Sequence, residues 1–393
     1  MQGFTLVFIS WVTTTTAVVA ALQQQNDSSR REFLTKSTSS IIAGSTAPLW
    51  IPPSIAHADE AKAAKNIQLP PMGMGCWAWG DSLFWGYDPK QDKDLEEVFN
   101  YAISKSPPVL LDTAELYGLG RSESLVGEFS KSHAKEGDTI VATKFAALPF
   151  RTKPENVLKA CQASVKRLGG KPIDLYQIHF PNAFSNAEYW DGMAMAYDKG
   201  LIKAVGVSNY GVEATKACHD ALAKRGVPLA TNQIQYNLLY RYPEDNGLLQ
   251  CCNDLGIQVL SYSPLALGLL TGKYSDAESV NKIQGPRKKL FQATVGNSQF
   301  DMLLKSMNEV AQNHKNSNLP QVAINWCRAK GTIPIPGARN LRQVQSNYGA
   351  LDWDMSPEEV KFLDQAATVS YIDPTASPFP RKDKDTGLIM FDS

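Results

Sequence analysis

The sequence is short of metal-ligand patterns. It has five histidines, and its six cysteines are Cys76, Cys161, Cys218, Cys251, Cys252 and Cys327. None of the cysteines form a CxxC pair, and none stand at zinc-site spacing from a histidine. No metal is therefore expected, and the thiols read as buried groups of a reducing compartment. An excess of one charge is also missing. Lys+Arg and Asp+Glu both number 39, which argues against a general nucleic-acid binder. No Gly-rich turn joins an early strand to a helix. The one candidate, Gly73-Met-Gly75-Cys-Trp77, runs on into Trp79, so an open dinucleotide-binding sheet is the weaker architecture. From Asp59 onward no apolar run is long enough to span a bilayer, so the mature chain is expected to work away from the membrane.

Acidic residues are scarce at the start, where residues 1–58 hold only Asp27 and Glu32. An apolar run, Phe4–Leu22, resembles a signal h-region and, uncleaved, would just span a membrane. A second run, Ser40–Ile55, follows "SRREFLTK" (Ser29–Lys36) and ends at Ala56-His57-Ala58. A twin arginine, an apolar run and a small-x-small site read as an export signal cleaved after Ala58. Two signals in tandem resemble the bipartite targeting of plastid proteins that enter the thylakoid lumen. A single signal with an incidental Arg-Arg is the alternative, which leaves the stroma open.

The remainder of the chain is built on a repeat. Strand-like runs stand near Gly73–Trp77, Val109–Asp112, Thr139–Lys144, Ile173–His179, Ala204–Ser208, Ala230–Gln235, Gln258–Ser261 and Thr332–Ile335. Several are apolar on successive residues, the mark of strands buried on both faces in a parallel sheet. Helical periodicity fills the gaps. Asn156–Leu168 carries Val157, Leu158, Cys161, Val165 and Leu168 at three- and four-residue steps, with Pro154 before it and Gly169-Gly170 after it. The strand ends Asp112, Lys144, His179 and Asn209 are 32, 35 and 30 residues apart, one βα unit each. Eight such units predict a single-domain (β/α)8 barrel over residues 59–370, behind a targeting segment at 1–58 and before a polar extension at 371–393. The connection from Gly268 to about Asn297 shows no helical pattern and reads as a long functional loop.

In such barrels chemistry gathers at the C-terminal ends of the strands. There the sequence places Asp112, Lys144, His179, Ser208, Asn209, Gln233 and Tyr262, with Tyr117 one short loop beyond Asp112. Singly, each has a dull explanation; together, Asp, Tyr, Lys and His form a tuned acid without a nucleophile or metal. A lysine cation ~4 Å from the phenol stabilises tyrosinate by roughly 4 kcal/mol, enough to draw its pKa from about 10 toward about 7. Asp112 would hold Lys144, and His179 would orient a substrate oxygen. That set suits carbonyl reduction, with Tyr117 giving the proton.

These residues stand in "LDTAELYG", "VATKF", "LYQIHFP", "KAVGVSN", "NQIQYN", "YSPLALGLLTGKY" and "IPIPGARN", in that order. So arranged, the chain resembles the aldo-keto reductase superfamily across Leu69–Ala367. Stretches such as "ATKFAALP" and "GLGRSESLVG" are similar to plastid-type members of plants and algae. The resemblance implies an NADP(H)-dependent reductase of aldehydes and ketones, with Asp112, Tyr117, Lys144 and His179 as the catalytic tetrad. It implies Ser208, Asn209 and Gln233 at the nicotinamide carboxamide and Tyr262 on the ring. Ser263, Leu265, Gly268 and Lys273, with Arg287 nearby, would cover the pyrophosphate. Arg339 would meet the 2′-phosphate and Asn347 the adenine. Gln343 stands where some members carry a second arginine. Trp77 and Trp79, with Trp85 behind them, are candidates for an aromatic wall of the substrate pocket, with packing at the barrel mouth as the alternative. An aromatic aldehyde such as pyridoxal is the substrate by analogy. The expected partner is that small carbonyl compound, and the chain is expected to be a monomer or small homo-oligomer.

Two other functions fit parts of the pattern: an NADP(H)-binding redox sensor with little turnover, and a Schiff-base aldolase using Lys144. The intact tetrad disfavours the first. The acid and phenol beside Lys144 disfavour the second, because they favour the charged amine. A luminal site would also deprive an NADPH enzyme of its expected cofactor supply.

Overall fold

The computed structural model describes residues 67–148, 150–182, 185–283, 287–315 and 317–369, with two short strands at 381–382 and 389–390. The expected targeting segment and cleavage site lie outside the described residues, as does most of the C-terminal extension. Within that extension Arg381–Lys382 pairs antiparallel with Ile389–Met390.

Eight parallel strands pair in chain order. They are β1 (Gly73–Gly75), β2 (Val109–Asp112), β3 (Thr139–Phe145), β4 (Ile173–Ile178), β5 (Ile202–Ser208), β6 (Leu229–Gln235), β7 (Gln258–Tyr262) and β8 (Ile333–Pro334). A parallel bridge between Gly75 and Gly337, with Gly75 N–H donating to the Pro336 carbonyl at 3.1 Å, brings the last strand back to the first. β8 is two residues long because Pro334 and Pro336 remove ladder donors. Between the strands run the helices α1 (Asp92–Lys105), α2 (Arg121–His133), α3 (Pro154–Arg167), α4 (Asn186–Asp198) and α5 (Val212–Ala223). Then come α6 (Tyr242–Asp245), α7 (Leu248–Asp254), α8 (Ala277–Asn281), α9 (Arg287–Thr294), α10 (Ser298–Asn313), α11 (Leu319–Ala329), α12 (Leu341–Tyr348) and α13 (Pro357–Val369). This is the (β/α)8 barrel that the repeat predicts. None of the described helices is long and apolar enough to cross a membrane.

Side-chain alternation along the strands positions the chemistry. On β4, Tyr176 and Ile178 pack outward with Val157 and Cys161 of α3. Leu175 points the other way and joins Leu110, Ala142, Ala204, Ala230, Leu260 and Ile335 in a buried plug inside the barrel. Two residues further along β2, β3 and β4 come Asp112, Lys144 and Gln177, all buried. An apolar layer thus carries a polar layer on top of it. Gly206 on β5 permits the close approach. A Cβ there would stand 2.2 Å from the Thr231 hydroxyl oxygen and 2.9 Å from Gln177 Cγ.

The connection after β7 departs from the sequence reading. It begins with 3-10 turns over Ala266–Thr271 and then forms α8 and α9. Asp276 caps α8, its carboxylate accepting from Ser279 N–H at 2.7 Å. The basic run Arg287-Lys-Lys, inside the stretch expected to lack helix, starts α9 and turns Leu290 and Phe291 inward. Helices of five and eight residues are too short for periodicity to reveal. The backbone is left-handed at Ser263, Ala266 and Leu267, with φ of 50, 47 and 58°. Side chains rarely adopt that conformation, so the surrounding packing holds this loop in shape.

Leu175 is fully buried in the plug. Leu175→Ala is expected to lower unfolding free energy by about 2–5 kcal/mol, read from urea titration. A change within about 0.5 kcal/mol would show that the plug does not support the barrel.

Candidate active site

Lys144 is the hub. It is fully buried, and its ammonium uses all three donors. Nζ stands 2.6 Å from Asp112 Oδ2, 2.9 Å from the Thr113 carbonyl and 3.4 Å from the Tyr117 hydroxyl. The other Asp112 oxygen accepts from Gln233 Nε2 at 2.6 Å and from Gln177 Nε2 at 3.4 Å. Burial draws Lys144 below its ordinary pKa, and Asp112 works against that fall.

Tyr117 begins a short turn, Tyr117–Gly120, after β2. Gly118 holds φ 56°, and a Cβ there would meet the Gly80 carbonyl oxygen at 2.2 Å, so only glycine lets the turn close against the first loop. The Tyr117 ring meets the His179 ring edge-on, with centroids 5.7 Å apart. His179 lies just past β4, where its N–H donates to the Phe145 carbonyl at 2.9 Å. Its ring stacks on Phe180 at 4.2 Å, and its Nδ1 has no partner among the described residues. Burial, then the charge of Lys144, pushes the imidazole well below its usual range, so His179 is neutral near pH 7.

One expectation reverses. The phenol of Tyr117 stands well above its ordinary pKa, not below it. Burial is the main cause, and Asp112, Cys76 and Asp81 add to it. Reasoning from the Lys144–Tyr117 pair alone omitted desolvation and the Asp112 charge that offsets Lys144. Tyr117 therefore holds its proton firmly, as a donor should until negative charge appears opposite it.

The cofactor candidates fall into two groups. Ser208, Asn209, Gln233 and Tyr262 are tied to one another. Ser208 Oγ donates to the Gln233 carbonyl at 2.9 Å, Asn209 Nδ2 to the His179 carbonyl at 3.1 Å, and the Tyr262 hydroxyl to Asn209 Oδ1 at 2.9 Å. The amide N–H of Gln233 is committed to Asp112, a role the sequence did not suggest. The second group is Arg339, Gln343 and Asn347 around the start of α12. Gln343 Oε1 accepts from Arg339 N–H at 2.8 Å, so at this position the side chain fixes the arginine's backbone. Asn347 Nδ2 donates to the Gly337 carbonyl at 3.2 Å. Between the groups, Asn237 Nδ2 donates to the Ser263 carbonyl at 2.9 Å. Leu265 is half-buried and Gly268 has φ 109°, both in the loop after β7. Lys273 is exposed and lies over the Tyr274 ring at 5.3 Å. Arg287 stands 4.7 Å from the Trp85 ring.

The tryptophans divide. Trp77 is half-buried and lies nearly parallel to Tyr117, with ring centroids 6.0 Å apart. Trp79 is fully buried, donates to the Ala338 carbonyl at 2.9 Å and packs on Phe129. It backs the mouth from within the core. The sequence reading missed Gln177, although the period of two along "LYQIH" puts it on the same face as His179. It also missed Glu115, whose carboxylate accepts from Ala146 N–H at 2.6 Å and from Arg151 at 2.5 Å, pinning the loop after β3. No local pattern announced that pair.

The family model "Aldo/keto reductase family" matches residues 71–368. The chain belongs to the aldo/keto reductase family. It is 41% identical over 316 residues to the chloroplastic pyridoxal reductase of Arabidopsis thaliana, covering 77% of this chain and 85% of that protein. It is 30% identical to the aldo-keto reductase YhdN of Bacillus subtilis, over 81% of this chain and 96% of the relative. Among solved structures, an aldo/keto reductase of Klebsiella pneumoniae in complex with NADP and acetate superposes with TM-score 0.59 at 26% identity. That match covers 76% of this chain and 91% of the other. The thermostable aldo-keto reductase Tm1743, solved with the inhibitor epalrestat, gives 0.61 at 27%, over 77% and 97% of the two chains. This aldo-keto reductase is accordingly an oxidoreductase.

The geometry of this reductase carries two expected outcomes. Lys144→Met strands the Asp112 carboxylate, so a loss of about 3–5 kcal/mol in denaturant unfolding is expected, partly restored in Asp112→Asn/Lys144→Met. An undiminished single variant would mean that the pair does not matter to the fold. For His179, the folded state refuses a proton that the unfolded chain accepts, so stability falls as pH drops below about 6.5, by up to about 1.4 kcal/mol per pH unit. His179→Gln should flatten that part of the stability-against-pH curve. Curves of equal slope would show that His179 takes up its proton in the folded state.

Proposed function

We propose that this aldo-keto reductase reduces an aromatic aldehyde of the pyridoxal type to its alcohol, with Tyr117 as proton donor. The cofactor is NADP(H), which supplies the hydride when bound. The observation that carries the reading is the Lys144 ammonium 3.4 Å from the Tyr117 hydroxyl and 2.6 Å from Asp112.

Each residue has its share of the work. Tyr117 gives its proton to the carbonyl oxygen as negative charge develops there. Lys144 stands beside the phenolate left behind, and Asp112 keeps the ammonium in place. Gln233 and Gln177 keep Asp112 from turning. His179, neutral, offers a ring N–H to the same oxygen and fixes its direction. Trp77, stacked on Phe84 and met edge-on by Trp85, lies beside Tyr117 and gives a surface suited to a flat substrate. The guanidinium of Arg339 suits the 2′-phosphate of NADP(H). Ser208, Asn209 and Tyr262 suit the carboxamide side. The name of the Arabidopsis relative supports both pyridoxal as substrate and a plastid as the compartment. The two-part leader supports the latter as well.

The test is Tyr117→Phe assayed with pyridoxal and NADPH. A loss of about 10²–10⁴-fold in kcat is expected, with NADPH still binding by quenching of tryptophan emission. Normal turnover by the Phe variant would remove Tyr117 as the donor. Turnover of simple aldehydes but not pyridoxal by the native chain would keep the mechanism and reject the substrate.

A further inference from the structure

Outside the tetrad, one cluster of donors is only partly satisfied. Two guanidinium groups stand over the Trp85 ring, with Arg287 Cζ 4.7 Å and Arg339 Cζ 5.7 Å from its centroid. Arg339 Nη1 also donates to the Trp85 carbonyl at 3.1 Å. Arg287 Nη1 donates to the Leu267 carbonyl at 3.3 Å, and its guanidinium faces Tyr274. Among the described residues neither arginine is paired with a carboxylate. The buried Nε of Arg287 and the buried Nε1 of Trp85 have no hydrogen-bond partner among the described residues. Unmet buried donors cost free energy, and two like charges near each other add to that cost. An oxyanion arriving here would relieve both. For now an aromatic face answers the cations through its quadrupole.

The other edge of the same tryptophan faces the chemistry. Trp85 packs edge-on to Trp77 at 5.5 Å and to Phe84 at 5.2 Å. Trp77 stacks on Phe84 at 4.6 Å and lies over Tyr117. The loop is organised by Asp81, which accepts from Trp77 Nε1 at 2.8 Å and from the backbone N–H groups of Leu83 and Phe84 at 3.0 and 2.9 Å. Trp77 and the Leu83–Phe84 backbone are thereby tied to one carboxylate. A chain of contacts runs from the two arginines through Trp85 and Trp77 to the phenol.

We propose that Trp85 is a positioning residue that couples the nucleotide-phosphate site to the aromatic wall over Tyr117. With a phosphate engaged, the Arg339 guanidinium would leave the Trp85 carbonyl and ring, and Trp85 would then be free to settle the wall into its substrate-binding form. The phosphate thereby contributes to carbonyl recognition as well as to nucleotide affinity. The proposal rests on the assignment of Arg339 to the 2′-phosphate.

The test compares the native full chain with Trp85→Phe and Trp85→Ala. 2′,5′-ADP is expected to change tryptophan emission, 5′-AMP to leave it largely alone, and Trp85→Phe to lack most of the change. In steady state with an aromatic aldehyde, Trp85→Ala should raise KM by about fivefold or more with NADPH, and much less with NADH. The loss should fall on KM rather than kcat. Equal changes with the two nucleotides, or none with either, would overturn the coupling while tight 2′,5′-ADP binding keeps the Arg339 assignment. If 2′,5′-ADP binds no better than 5′-AMP, the assignment fails and the coupling with it. Should Trp85→Ala not fold, Trp85→Leu takes its place in the same comparison.

Discussion

A carboxylate and an ammonium, both withdrawn from water, meet at 2.6 Å on top of the barrel's apolar plug. Neither Asp112 nor Lys144 could stay there alone, because an isolated buried charge costs several kcal/mol. Each fixes where the other must be, and the amides of Gln177 and Gln233 turn in to occupy the remaining oxygen. Lys144 then has a single direction left for its third donor, which is Tyr117. The loop after β2 must bring the phenol to that point, and Gly118 lets it do so. Four strands and one loop are thus positioned by a single pair.

Electrostatics at this site work by opposition. Burial pushes Tyr117 up, Lys144 down and His179 down. Burial favours the neutral form of each: for Tyr117 that form keeps the proton to be given, for His179 it is the free imidazole, and for Lys144 the Asp112 carboxylate opposes it. The site's chemistry needs charge to develop on the substrate, and the low-dielectric setting makes that response steep.

The barrel was legible in the sequence because its strands are apolar on successive residues and its units recur at the length of one βα step. Asp112, Lys144 and His179 were legible because they interrupt such runs at strand ends. What stayed hidden was long-range or cooperative. Gln233 was expected at the cofactor, and only the folded geometry shows that its amide also reaches Asp112, 121 residues away. The short helices α8 and α9 carry too few turns for a pattern. Trp85 under two arginines joins three segments that no spacing links. The direction of the Tyr117 shift was misjudged because pairwise attraction can be read from a residue list, whereas desolvation requires knowing what surrounds it.

The ring of strands has one thin place. β1 and β8 contribute three and two residues, and they meet through Gly75 and Gly337. Trp77 leaves one bank of this seam two residues later, and Arg339 leaves the other bank at the same distance. On the proposed assignment of Arg339, a nucleotide held there would grip one bank of the seam as a buckle holds one end of a belt. Its binding energy would then count toward the persistence of the fold itself. Coenzyme saturation would raise the stability of this reductase as well as its rate.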